Sequence, residues 1–213
     1  MLSKMALPAR DSELVQIVDA ALADAALRAG AWLACRIGCT QCCHGVFAIN
    51  ALDAARLRQG MDVMRRKDPA LATEVERRTR AWMREYGPAF PGDHETGILG
   101  TTAGDCAKFE EFAGDAACPA LDPTTGRCDV YAWRPMTCRV FGPPVRVGEG
   151  DAFGCCELCF VGAGEEEIRR CEMLVPHNLE AKVLAETGEK GETIVAFALL
   201  DGPRQHGNRP ARR

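Results

Sequence analysis

Twelve cysteines in a chain of 213 residues, bunched rather than scattered, constrain this protein more than any other feature. A chain of this length can bury a self-sufficient apolar core, so it has no need of cross-links on grounds of size. The N-terminus Met-Leu-Ser-Lys-Met-Ala-Leu-Pro lacks the apolar run of a secretory signal. No apolar stretch reaches the roughly 18 residues of a membrane span. The chain is therefore expected in the cytoplasm, where thiols stay reduced and clustered cysteines point to metal rather than to disulfides.

Spacing sharpens that expectation. Cys39-x2-Cys42 is a chelating interval: two thiolates can reach one ion while the amides between them turn inward to bond the sulfurs. Cys43 follows at once. Adjacent side chains diverge, so either one of the doublet stands beside the metal without binding it, or the site holds more than one metal atom. The second half is Cys118-x9-Cys128-x9-Cys138. The turn Asp122-Pro-Thr-Thr-Gly126 brings Cys118 and Cys128 together, and Arg134-Pro135 stiffens the approach to Cys138.

The ordered run Cys-x2-Cys-Cys, Cys118-Pro-x-Leu, Cys128-x-Val-Tyr, Arg134-Pro-x2-Cys138-Arg resembles the YkgJ-type cysteine-cluster proteins, the CxxCxxCC family of zinc- or iron-chelating domains. The resemblance runs from about Cys35 to about Cys159. The family pattern is Cys-x2-Cys-x2-Cys-Cys, whereas the first interval here is Cys35-x3-Cys39, one residue longer. The resemblance therefore implies metal ligation by Cys39, Cys42, Cys43, Cys118, Cys128 and Cys138. Cys35 reads instead as a buried thiol ending the first helix.

Six thiolates exceed the four of a closed zinc site or of a simple iron–sulfur cube. Either two of the six lie beside the metal, or the six hold a multinuclear centre. Arg134 and Arg139 are candidates to offset the thiolate charge at such a cofactor. A further group, Cys155, Cys156, Cys159 and Cys171, either closes a second site or completes the first. Cys106 reads as an inert thiol, and His44 as a neighbour of the metal motif rather than a ligand. The cofactor expected is an iron–sulfur cluster on the count of thiols, with zinc in two sites as the alternative.

Around the cysteines the pattern is helical. Leu14, Val18, Leu22 and Ala25 recur at helical spacing over residues 11–29, with Gly30 as terminator. Asn50 is placed to cap a second helix reaching Lys67, and Asp68-Pro69 to open a third reaching about Tyr86. Residues 87–105 read as loop, and 106–160 show little helical period. A short strand is expected over Val145–Val147. Further helices are expected over Glu165–Cys171, Asn178–Thr187 and Glu192–Leu200. The fold expected is mainly α with an irregular cysteine-rich, metal-stapled segment, leaving room for a small α+β part. A single cluster domain is expected over 1–200, with a disordered polar tail over 201–213.

A net charge of −4 offers no global basic field, so neither nucleic acid nor a membrane surface is an expected partner. The sequence has no Gly-x-Ser-x-Gly elbow, phosphate loop or His-Glu-x2-His. The expected function is thus metal binding, with a metal ion or cluster as the partner. Flagellin lysine methyltransferases look like distant relatives and supply the enzymatic alternative, an iron–sulfur enzyme using S-adenosylmethionine on a protein substrate. Cys35-x3-Cys39-x2-Cys42 has a spacing suited to that chemistry, but the chain lacks the barrel pattern that normally carries it.

Overall fold

The computed structural model describes residues 6–146 and 153–200. Val147, the N-terminal residues 1–5 and the tail over 201–213, with Arg209, Arg212 and Arg213, lie outside the described residues. In chain order the helices are α1 (Asp11–Ala29), α2 (Ala51–Lys67), α3 (Pro69–Glu85), α4 (Ala103–Glu111), α5 (Met136–Val140), α6 (Glu165–Arg170), α7 (His177–Glu186) and α8 (Val195–Leu199). Three two-residue antiparallel hairpins join them: β1 (Gly92–Asp93) with β2 (Ile98–Leu99), β3 (Leu121–Asp122) with β4 (Arg127–Cys128), and β5 (Val145–Arg146) with β6 (Phe153–Gly154). The architecture is mainly α with small β elements, as the sequence implies. No helix among the described residues is long and apolar enough to cross a membrane.

The expected helices follow from their signals. Leu14, Val18 and Ala25 line the buried side of α1, and Gly30 leaves the helix with φ 52°. Asn50 caps α2 by accepting the Asp53 amide at 3.1 Å, and Asp68 caps α3 by accepting the Leu71 amide at 3.0 Å. Only Asp68 separates α2 from α3, so the two form a helical hairpin. Leu57, Met61 and Met64 of α2, Ala72 and Val75 of α3, and Val195, Ala198 and Leu199 of α8 share one core. Cys118, Cys128 and Trp133 pack on its edge. A second core joins Leu14 and Val18 to Met136, Met173 and Val183.

Two helices run through stretches read as irregular. α4 opens with a capping box in which the Thr102 hydroxyl accepts the Asp105 amide and the Asp105 carboxylate accepts the Thr102 amide. The five-residue α5 carries Cys138 and is too short for a periodic pattern to reveal.

Buried charges fix the helices that flank the cysteines. Arg56 of α2 donates to Asp11 through Nε and Nη2, at 2.9 and 2.5 Å to Oδ1, and to Asp53 through Nη1 at 2.6 Å. The same Asp53 Oδ1 accepts the Met136 amide at 2.8 Å, which anchors the start of α5. All three charged side chains are buried, so each depends on the others for its hydrogen bonds.

Candidate metal centre

The early cysteine run is fastened to the later one through the backbone. The Cys118 amide donates to the Cys43 carbonyl at 2.7 Å and the Gly45 amide to Ala116 at 3.0 Å, with His44 and Ala117 paired antiparallel between them. Gly45 has φ 81°, and a Cβ there would stand 2.9 Å from the Gly114 carbonyl oxygen. A side chain would therefore force these strands apart. The β3–β4 hairpin sets Cys128 opposite Leu121, and its turn at Gly126 rests on Gly38 and Thr40. From α3, Arg78 donates to the Pro119 carbonyl at 3.1 Å and to Asp129 at 2.5 Å. It thereby grips the residues that follow Cys118 and Cys128. Gly60 of α2 lets Trp133 lie directly on the helix, since a Cβ there would come within 2.6 Å of the indole.

Cys42, Cys43, Cys118, Cys128 and Cys138 are close enough to influence one another's charge. The neighbouring Cys43 thiol lowers the Cys42 pKa to about 6 against the opposing effect of burial, with Arg134 adding a smaller favourable charge. Cys43 is pushed up for the same reason in reverse, and further by Cys118 and Cys128. Burial raises Cys118 to about 12 and raises Cys128 and Cys138; Cys42 raises all three, Cys128 raises Cys118 and Cys138, and Asp129 raises Cys128. The Leu121 amide donates to the Cys118 carbonyl at 3.0 Å, closing the turn after that cysteine. The nearby backbone amides of Ala120 and Val130 oppose the effect of burial at Cys118 and Cys128 and favour their thiolates.

Cys35 Sγ lies against Gly142, whose carbonyl accepts the Cys156 amide at 3.3 Å. Burial raises the Cys35 thiol, and the charges of Cys159, Cys39 and Cys156 add to that rise. Cys155 is exposed beside Cys159. Cys171 is wholly buried with Ala29, Cys156, Cys159 and Phe160 in an apolar cluster. Cys106 lies exposed on α4, and His44 is exposed.

All twelve cysteines are free thiols. Among the described residues, no three Cys, His, Asp or Glu side chains stand in ready-made ligating geometry. The donor set fits zinc or iron: soft thiolates, drawn from short turns, with inward amides. Binding must therefore displace thiol protons and turn side chains toward the ion.

The two candidate arginines differ in what they do. Arg134 bonds the Tyr131 carbonyl at 3.0 Å, lies 4.0 Å over the Tyr131 ring and reaches Asp19 at 3.3 Å; its charge favours the thiolates of Cys42 and Cys128. Arg139 is buried, and its donors go to both Asp19 oxygens and to the carbonyls of Ala132 and Arg134. It braces the loop between Cys128 and Cys138. Arg78, Asp19 and Asp53, which position the thiols, carry no signal in the sequence beyond that of ordinary helix charges.

No curated protein matches the chain, and neither does any solved structure. The family model of the CxxCxxCC group, described as a "putative zinc- or iron-chelating domain", matches residues 34–155. That span takes in Cys42, Cys43, Cys118, Cys128 and Cys138 and more than half of the chain, which belongs to this family.

Proposed function

We propose that this protein is a metal-binding module whose principal centre is held by Cys42, Cys43, Cys118, Cys128 and Cys138. The observation that carries the reading is the backbone pairing that fastens the Cys42–Cys43 run to Cys118, with Cys128 on the hairpin that follows and Cys138 an electrostatic neighbour of Cys42, Cys118 and Cys128. Five thiols with an adjacent doublet exceed the four of a closed zinc site, which favours an iron–sulfur cluster. Arg134 supplies positive charge against the excess of thiolate.

The reading as an S-adenosylmethionine enzyme needs Cys35, Cys39 and Cys42 around one iron. Against it, Cys35 is exposed and its sulfur lies on Gly142. Protein isolated without oxygen from iron-replete cells tests both ideas. Broad sulfur-to-iron absorption with iron and acid-labile sulfide is the expected result. Stoichiometric zinc without iron or sulfide would overturn the cluster, and cleavage of added S-adenosylmethionine by the reduced protein would reinstate the enzyme.

A further inference from the structure

The segment that follows the Cys42–Cys43 doublet is paired at both ends and unpaired between them. At one end the Gly45 amide donates to the Ala116 carbonyl at 3.0 Å; at the other, Ile49 and Thr193 exchange hydrogen bonds at 2.8 and 2.9 Å. The amides and carbonyls of Val46, Phe47 and Ala48 make no hydrogen bond among the described residues. All three residues are part-exposed. Val46 packs on the cluster that holds Trp82, and Phe47 on the one that holds Leu57, the alternation of an extended chain. An extended segment with free backbone groups is a template for another strand.

A small cavity opens on this segment. Gly45, Val46, Phe47 and Cys118 form its part-exposed side, and the buried Trp82 of α3 belongs to its wall. Trp82 is 7% exposed, and its Nε1–H is the one buried side-chain nitrogen or oxygen without a hydrogen-bond partner among the described residues. Tyr86 and Phe112 hold the indole, with ring centroids 4.9 and 6.0 Å away. A buried donor left unpaired carries its desolvation cost in full, so such a group in a folded core calls for an acceptor.

We propose that this cavity is a binding subsite for one peptide group with a small side chain, presented by an extended segment of a partner protein. The Trp82 N–H and the Phe47 amide offer donors, and the Phe47 carbonyl offers an acceptor. A peptide group carries the complement, one carbonyl and one N–H. The rest of the lining is mainly apolar, with Ala116, Ile194 and Val195, and suits a methyl group. The space open to the centre of a water-sized group is about 20 Å³. That holds one or two such groups and excludes a drug-sized ligand, whose pocket is roughly 300 Å³ or more. The remainder of the occupant must lie outside, along the Val46–Ala48 edge, as an added strand does. The subsite goes beyond metal binding and stands whether or not the thiols hold metal.

The probe is capped alanine, N-acetylalanine N-methylamide. It is titrated into isotope-labelled full-length protein under reducing conditions while the indole N–H resonances of the three tryptophans are followed by nuclear magnetic resonance. A saturable downfield shift of the Trp82 signal is expected, with those of Trp32 and Trp133 unmoved. Capped leucine, too large for the cavity, should bind at least several-fold more weakly. Trp82→Phe keeps an aromatic ring and removes the donor; it should weaken capped alanine about three- to tenfold, read from the Phe47 amide signal. Should Trp82→Phe unfold, the comparison of the two probes on the wild-type protein decides. No shift up to the solubility limit, equal shifts of all three tryptophans, or equal binding of capped leucine would overturn the subsite. A dimer that capped alanine dissociates would overturn a different protein as the occupant and assign a second copy of this chain.

Discussion

Arg139 Nη1 lies 2.7 Å from both carboxylate oxygens of Asp19, joining the residue next to Cys138 to the middle of α1. Asp19 is part-exposed and Arg139 is buried, so the loss falls mainly on the arginine. Asp19→Ala should leave that charge short of a partner and cost about 2–4 kcal/mol. The urea midpoint of the metal-loaded protein measures it. An unchanged midpoint would show that the carbonyls of Ala132 and Arg134 suffice.

Burial pushes the Asp53 carboxyl up to about 6, against the opposing charge of Arg56 and the Met136 amide; Glu180 raises it further. A folded value above the ordinary one favours the protonated form. Its contribution to stability is full below about pH 4 and is lost as the pH rises through about 6, by roughly 1–3 kcal/mol. Asp53→Asn should flatten the stability profile between those values, since an amide oxygen still accepts from Arg56 and Met136. Chemical denaturation across that range decides; a mutant slope equal to wild type would reject the assignment.

Gly142 adopts φ 128°, and a Cβ would press on Cys35 Sγ. Gly142→Ala should cost about 1–3 kcal/mol in backbone strain. The thermal denaturation midpoint measures it, and an unchanged midpoint would show that the loop can shift away from Cys35 at no cost.

Chelation should expose what the metal covers. In the loaded protein, alkylation should reach the exposed Cys106 and Cys155 first. After chelation, Cys42 and Cys43 should join them, and the thermal midpoint should fall because the ion binds only the folded chain. Peptide mapping by mass spectrometry gives the order. The same alkylation pattern before and after chelation would argue against ligation by the doublet.

Legibility from the sequence follows the range of each signal. Helices α1, α2 and α3 were readable because Gly30, Asn50 and Asp68-Pro69 are local punctuation on periodic stretches. α5 was hidden because five residues carry no period, and α4 because its Thr102–Asp105 box sits in a glycine-rich approach. Among the site residues, the turn that sets Cys118 near Cys128 was readable from Asp122-Pro-Thr-Thr-Gly126. The setting of Cys35 was not. It was expected as a buried thiol ending the first helix, and the structure leaves it exposed beside Gly142. That setting depends on a contact more than a hundred residues away in the chain that no short-range rule conveys. Arg78 and Asp19 were invisible for the same reason.

The wide separation of the clustered cysteines governs when the centre can assemble during synthesis. Cys42 and Cys43 leave the ribosome long before Cys118, Cys128 and Cys138. In that interval the helical hairpin α2–α3 can already form, because its contacts are local. The early thiols meanwhile wait without their partners and are open to oxidation or to a wrong metal. Correct filling therefore belongs to the end of translation, and the reducing capacity of the surrounding medium must protect the nascent chain until then.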